Sequence, residues 1–406
     1  MSERVSLIND YLSGDFGVSD LSVEYEVSRK TIYKWIGRYE SDGWEGLKDL
    51  SRAPLRHPNA TSQEAERAIL ELKARKPFWG APKLHRKLID LLGEECPVES
   101  TISEILRRHG LSRAAKRRRR AVPSEQPLSH CLVPNAVWSA DFKGWFRTGD
   151  GHKCTPLTIS DGLSRYLLCC QGLREDLGWL TVKPLFISTF QENGMPDAMR
   201  TDNGAPFAST GLAGLTQLSV WWVRLGIQLE RIEPGKPQQN GRHERMHRTL
   251  KEATAKPARK NLNKQQEAFD AFRREYNQER PHEALGQQAP STVYQPSARE
   301  YPQRLPPQRG YPDGWEKRMV RKGGQIKWHG KDVRLTQALW GQEIGLQPVG
   351  DGLWAAYFEA LELGIFDERK GRIVRPRELK YETTCPDERE IKETKNHQNV
   401  THLLGR

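Results

Sequence analysis

Long apolar runs are missing from this chain. Nothing approaches the roughly 18 consecutive apolar residues of a membrane-spanning helix. Nor does an apolar stretch follow Met1-Ser2-Glu3-Arg4, so neither membrane insertion nor a secretory leader is expected. Cysteine is sparse, six in 406 residues, with no C-x-x-C pair and no Cys/His spacing suited to structural zinc. A disulfide framework is thereby excluded, and reduced thiols in a cytoplasmic protein are the expectation. Acidic residues are outnumbered, 52 against 64 Lys and Arg, which leaves a net charge of +12. A basic chain of this length, with room for two to four domains, points to a polyanion as partner.

The first 130 residues read as helical modules. Leu21 to Tyr25 and Arg29 to Tyr39 form two helices around a tight turn, with Ser28 as N-cap of the second. Ile32, Trp35, Ile36 and Tyr39 recur at helical spacing and leave Arg29, Lys30, Thr31, Tyr33 and Lys34 on the open face. That is a helix-turn-helix layout, whose second helix enters a DNA major groove, although Glu26 stands in the turn where glycine is the easier residue. Residues 56–112 repeat the theme: Thr61 opens one helix, Pro82 suits the first turn of another, and Thr101-x-x-Glu104 suggests a capping box for a third, stopped at Gly110. Arg113, Lys116, Arg117, Arg118, Arg119 and Arg120 supply six cations in eight residues. Such a run belongs in solvent as a linker (113–130) that neutralises phosphates, or as a basic solubility patch.

From Asn135 the pattern changes to strands. Trp138 to Phe146, Cys154 to Ser160 and Arg165 to Cys170, separated by Asp-Gly turns, read as an antiparallel meander. A helix over 177–193 interrupted or kinked at Pro184, a strand from Asp197 to Thr201, a helix from Leu215 to Leu225, a strand from Ile227 to Ile232 and a helix from Gln239 follow. The result is a mixed sheet flanked by helices. Asp141 lies on its first strand between Trp138 and Phe142, where a charge is costly to bury without a compensating cation. Asp202 stands at a strand end before Asn203-Gly204, where open sheets place ligand sites. Asp161 sits on a hairpin turn and is read as structural.

One stretch carries two chemistries. His243-Glu244-Arg245-Met246-His247 spells H-E-x-x-H, the helix-borne zinc motif of metalloproteases. Arg242, Arg245 and Arg248 crowd that helix, and Leu250 and Ala253 stand where the extended motif needs Gly and His. Alternatively, Glu244 joins Asp141 and Asp202 as three carboxylates around magnesium, a cation that prefers such oxygen ligands.

Several blocks settle on one resemblance. Trp138-Ser139-x-Asp141-Phe142-Lys143, Thr201-Asp202-Asn203-Gly204-x-Pro206-Phe207, Pro237-Gln238-x-Asn240-Gly241-x-x-Glu244-Arg245-x-His247-Arg248-Thr249-Leu250-Lys251 and Tyr276-Asn277-x-x-Arg280-Pro281-His282 occur in this order. Over about residues 131–295 the chain resembles the integrase-type catalytic core of insertion-sequence DDE transposases, in the retroviral-integrase superfamily. The tandem helical modules also resemble those that precede such cores.

The resemblance implies a ribonuclease-H-like α/β core whose catalytic and metal-binding triad is Asp141, Asp202 and Glu244, holding two Mg2+ ions for which Mn2+ substitutes. Its 41-residue spacing from Asp202 to Glu244 is longer than in many relatives, with the excess in the small-residue segment from Ala208 to Gly214. The implied activity is binding of an element's terminal inverted repeats, cleavage at the DNA 3′ end and strand transfer into target DNA. Double-stranded DNA and further copies of the chain in a synaptic complex are the implied partners, and the nucleoid its expected place. Lys236, Arg242, His243, Arg245, His247, Arg248 and Lys251 surround Glu244 as candidate contacts to the DNA backbone.

The remaining expectations are structural. Residues 296–318 read as a Pro/Arg-rich linker, 319–370 as a small all-β barrel that binds DNA or a partner subunit, and 371–406 as a charged mobile tail. Rival functions are a transposase-derived DNA-binding regulator without catalysis and the zinc protease.

Overall fold

The chain is described here from a computed structural model covering residues 2–51, 60–112, 131–232 and 241–374. Two compact units, Met1–Ser62 and Gln63–Arg406, divide it.

In the first unit, α1 (Ser2–Ser13), α2 (Val18–Glu24) and α3 (Arg29–Asp42) close on Leu7, Ile8, Leu21, Ile32, Trp35 and Ile36. The apolar spacing of α3 turns these residues inward and leaves Arg29, Lys30, Tyr33 and Lys34 exposed, with Thr31 half-buried. Ser28 caps α3, its Oγ accepting from Thr31 N at 3.2 Å. Glu26 takes φ 51° in the turn, the left-handed conformation that glycine adopts more readily. Replacing the cap with Ser28→Ala is expected to cost about 1 kcal/mol of helix stability, checked as faster hydrogen exchange in α3.

The second unit opens with α4 (Gln63–Arg75), α5 (Ala81–Leu92) and α6 (Glu99–Arg108), packed on Ile69, Trp79, Leu84, Leu88, Ile102 and Ile105. The capping box expected at Thr101 and Glu104 does not form. The helix starts earlier, with Val98 at the cap, and Glu104 instead pairs with Arg107 at 2.6 Å. Gly110 ends this module at φ 66°, and Leu111 N donates back to Leu106 O at 2.8 Å. The basic run from Arg113 to Arg120 lies outside the described residues.

The central sheet is built from β1 (Val137–Phe142), β2 (Phe146–Arg147), β3 (Lys153–Asp161), β4 (Leu167–Leu173), β5 (Ala198–Thr201) and β6 (Gln228–Arg231). Strand β3 pairs antiparallel with β1, β4 and the short β2; β1 runs parallel to β5, and β5 to β6. An antiparallel meander followed by parallel strands is the ribonuclease-H-like order. Helices α7 (Trp179–Asn193) and α8 (Gln217–Arg224) cover one face through Phe186, Phe190, Leu218 and Trp222. On the other, α9 (Gly241–Thr254) and α10 (Leu262–Arg274) bury Met246, Leu250, Phe269 and Phe272 against Cys154, Leu167 and Cys170. Helix α7 runs on through Pro184. Asp161 is structural: Oδ1 accepts from Asn135 N and Oδ2 from Ser164 N, both at 2.7 Å.

Beyond the core the expected boundaries move. Ser297 N bonds Asn193 O at 2.8 Å, Arg299 donates to the Leu225 carbonyl at 3.1 Å, and Tyr301 packs on Phe190 and Trp221. The start of the expected linker is therefore docked on the core. Strands β7 (Glu316–Met319), β8 (Gln325–Trp328), β9 (Lys331–Arg334), β10 (Glu343–Gly350), β11 (Leu353–Phe358), β12 (Leu361–Asp367) and β13 (Arg372–Val374) follow. They form a five-stranded antiparallel sheet, β13-β12-β11-β10-β7, and a β8–β9 hairpin. No pairing of β7 with β13 closes a barrel among the described residues. The hairpin and sheet share Ile326, Trp328, Leu346, Phe358 and Phe366 with Leu212, Leu215 and Val220 of the preceding core. Strand β13 also shows that the sheet extends past residue 370, where the tail was expected to begin. No described helix is long and apolar enough to cross a membrane.

Candidate active site

Strand register brings two of the predicted carboxylates level. Parallel pairing of β1 and β5 sets Ala140 opposite Thr201, and Asp141 and Asp202 each follow by one residue. Neighbouring strands run about 4.8 Å apart. Both side chains are half-buried at the sheet edge. The turn after β5 is held by Asp202 itself, whose Oδ1 accepts from Gly204 N at 3.1 Å.

Helix α9 crosses this edge on its histidines. Asp141 pairs across the antiparallel ladder with Thr158, a fully buried residue of β3. Thr158 Oγ1 lies 2.7 Å from Nε2 of both His243 and His247, and it donates to the Asp141 carbonyl at 3.1 Å. One hydroxyl serves all three neighbours when it donates to that carbonyl and both imidazoles donate to it through Nε2–H. His243 Nδ1 then accepts from the Ser160 hydroxyl at 3.1 Å, while His247 Nδ1 faces Asp141 Oδ2 at 3.8 Å. Burial pushes His243 down to about 3 and, with His243 and Lys143 nearby, His247 to about 2, so both rings are neutral near pH 7.

These histidines were expected on DNA. That expectation gives way, because both are buried and bonded inward. The signal was present in the sequence: His243, Met246, His247 and Leu250 share the i, i+3, i+4, i+7 spacing of a core-facing stripe. Asp141, His243 and His247 form the one group of three among the described residues whose metal-ligating atoms lie within 4.8 Å of each other. Asp202 and Glu244 are outside it. Glu244 is exposed on the first turn of α9, beside the two rings in sequence and off their buried face. Arg245, Arg248 and Lys251 are likewise exposed and Arg242 is half-buried, whereas Lys236 lies outside the described residues.

The segment after α10 contributes residues that the sequence reading left without a role. Helix α10 passes into a π-helical turn, Glu275–Glu279. There Asn277 bonds both backbone groups of Leu167, accepting at 2.8 Å and donating at 2.9 Å, and so pins the turn to β4. His282 follows, its ring 4.7 Å from that of Tyr276, and burial with Lys83, Arg280 and Arg165 nearby pushes its pKa down to about 3. A histidine depressed in the folded state contributes stability that is fully present above its ordinary value of 6.5 and lost as pH falls toward 3. Acid melts between those limits should accordingly flatten in His282→Gln.

Comparison with known proteins agrees with this architecture. The family described as "Integrase core domain" matches residues 225–290, "Homeodomain-like domain" matches 31–106 and "Helix-turn-helix domain" matches 3–54. An insertion element IS407 protein of Burkholderia multivorans is 28% identical over 250 residues, covering 60% of this chain and 87% of its own length. An insertion element IS476 protein of Xanthomonas euvesicatoria is 28% identical over 252 residues, covering 60% and 69%. Among solved structures, the HTLV-2 integrase catalytic core domain in complex with magnesium is 17% identical, covers 40% of this chain and 98% of its own, and has a TM-score of 0.31. A chain of the simian T-cell lymphotropic virus intasome is 17% identical, covers 76% and 100%, and has a TM-score of 0.35. Helix-turn-helix modules joined to an integrase core define a DNA-binding recombination protein. Within that class, the chain is similar to proteins of insertion elements and, over residues 225–290, to the integrase core family.

Proposed function

We propose that the chain cuts and joins DNA at the ends of its own insertion sequence through Asp141, Asp202 and Glu244. The observation that carries this reading is the level placement of Asp141 and Asp202 on adjacent parallel strands, with the helix bearing Glu244 bonded to Asp141's ladder partner. Carboxylates at a sheet edge suit Mg2+ or Mn2+, which take oxygen ligands and keep waters and phosphate oxygens. When bound, such ions would activate the attacking oxygen and stabilise the leaving one.

The chain's own residues bind, orient and exclude. Water attacks the phosphodiester at the element's end, breaking its bond to the 3′ oxygen and freeing a 3′-hydroxyl. That hydroxyl then attacks a target phosphodiester; one P–O bond forms, one breaks, and the leaving 3′ oxygen takes up a proton from solvent. Thr158 fixes α9 against β1 and so sets the height of Glu244. The face of α3 that carries exposed Arg29, Lys30, Tyr33 and Lys34 and half-buried Thr31 reads the terminal repeats, and the second helical module extends the site. The basic run of 113–130, with Lys236, Arg245, Arg248 and Lys251, neutralises phosphates. Two ends must meet, so the active form is a multimer, with the C-terminal β domain as a DNA or subunit contact. A strand-transfer assay on the DNA flanking the coding gene tests the reading: divalent-metal-dependent joined products support it, and their absence with bound end DNA sinks it.

A further inference from the structure

The second helical module and the C-terminal sheet join the core by different means. The sheet shares an apolar cluster with Leu212, Leu215 and Val220, and Arg224 meets Glu359 at 3.5 Å with both side chains largely buried. Among the described residues, the module's apolar cluster draws on its own side chains alone, from Ala68 to Leu106. Its meeting with the core is polar. Lys76, in the turn between α4 and α5, reaches Glu279 at 2.7 Å and Glu275 at 3.4 Å.

Both sides of this contact are braced. Lys73 Nζ donates to the carbonyls of Pro77 and Trp79, each at 2.9 Å, and Trp79 N donates to Lys76 O at 3.0 Å above a buried indole. The turn that carries Lys76 is thereby fixed, with the ammonium 5.4 Å from that ring. Opposite it, Glu275 and Glu279 open and close the π-helical turn that Asn277 pins to β4. Like charges four residues apart on a helical turn repel. One ammonium shared by both removes that repulsion, and the Lys76 side chain is only 19% exposed there. Lys83, on the first turn of α5, is half-buried too, pushed down to about 8 by burial and the Arg280 charge. The π-helical turn is in turn joined to the helix of Glu244, since Tyr276 packs in one apolar cluster with Met246 and Leu250 of α9.

We propose that Lys76 is a positioning residue whose clasp by Glu275 and Glu279 sets the second helical module against the core, fixing how far DNA on that module lies from the carboxylates. The module offers such DNA exposed Arg107 and Arg108 on α6. The inference rests on the functional reading above for its consequence in catalysis, whereas the clasp itself is a property of the fold. Ion pairs open to solvent are individually weak. With no shared apolar cluster behind it, the joint opens on charge reversal without unfolding either side.

The test uses the full chain. Zero-length carbodiimide coupling should join Lys76 to Glu279 or Glu275 within one copy, read by peptide mass spectrometry on the monomer band. No such link, or a link only between copies, overturns the proposal. Hydroxyl-radical footprints of metal-free complexes with the element's end DNA give a second readout that needs no cleavage. Lys76→Glu should keep affinity within about twofold and lose the core's share of the protected stretch. With Mg2+ the same variant should cut about tenfold more slowly and at scattered phosphates, because the reacting bond is no longer held in place. Lys76→Arg should behave as wild type. Adding Glu275→Lys and Glu279→Lys to Lys76→Glu should restore both the footprint and the cut position. A wild-type footprint in Lys76→Glu overturns the proposal. So does a slower cut at an unchanged position with a lowered Tm, which would make Lys76 structural. If the wild type cuts no end DNA, the functional reading fails, and the coupling and the footprint still decide the clasp.

Discussion

Asp141→Asn, Asp202→Asn and Glu244→Gln are each expected to lower cleavage and strand transfer by about three orders of magnitude while leaving binding of end DNA within about twofold. Charge stabilisation by held metal is worth several kcal/mol, and each ~1.4 kcal/mol is tenfold in rate. The amide variants keep shape and lose charge, so the fold should persist. Retained binding follows from the division of labour, since the exposed α3 residues lie in the Met1–Ser62 unit and the carboxylates in the other. A gel assay of the element's end in Mg2+ and Mn2+ checks all three variants, and anisotropy checks the binding. Wild-type rates in any one of them would remove that residue from the site. Zinc-dependent proteolysis that His243→Ala abolishes would restore the histidine reading of α9.

The sequence made the sheet legible because its strands advertise themselves. Asp-Gly turns bracket apolar runs, and a charged residue between Trp138 and Phe142 is conspicuous for its cost. The level placement of Asp141 and Asp202 depends on the register of a parallel pair, which no local pattern encodes. His243 and His247 were legible in principle from their spacing with Met246 and Leu250, but two polar rings between arginines read as surface. Only the partner strand, with Thr158 and Ser160 facing them, turns them inward. Residues 296–318 misled for the opposite reason. Their Pro and Arg content is that of a solvated linker, yet Arg299 and Tyr301 dock by backbone and ring contacts that leave no apolar period. Likewise, the C-terminal sheet takes into its core Leu212, in a segment whose composition reads as a surface loop, together with Leu215 and Val220 from the expected helix that follows.

Thr158→Val is expected to be the most damaging single change near the site that touches none of the three carboxylates. Valine keeps the shape and the strand preference of threonine but removes the oxygen that two buried imidazoles share. Each buried donor left without a partner costs about 1–3 kcal/mol, so the variant should lose about 2–4 kcal/mol and several degrees of Tm. The loss is not confined to stability. His243 and His247 flank Glu244, and α9 without its anchor at Thr158 no longer holds that carboxylate at a fixed height above β1. Strand transfer should fall further than the population of unfolded protein explains, while anisotropy on end DNA stays near wild type. Thr158→Ser restores the hydroxyl and should return most of both losses. If Thr158→Val instead melts with the wild type, the two histidines do not depend on that oxygen, and the coupling of α9 to Asp141 through this network is wrong.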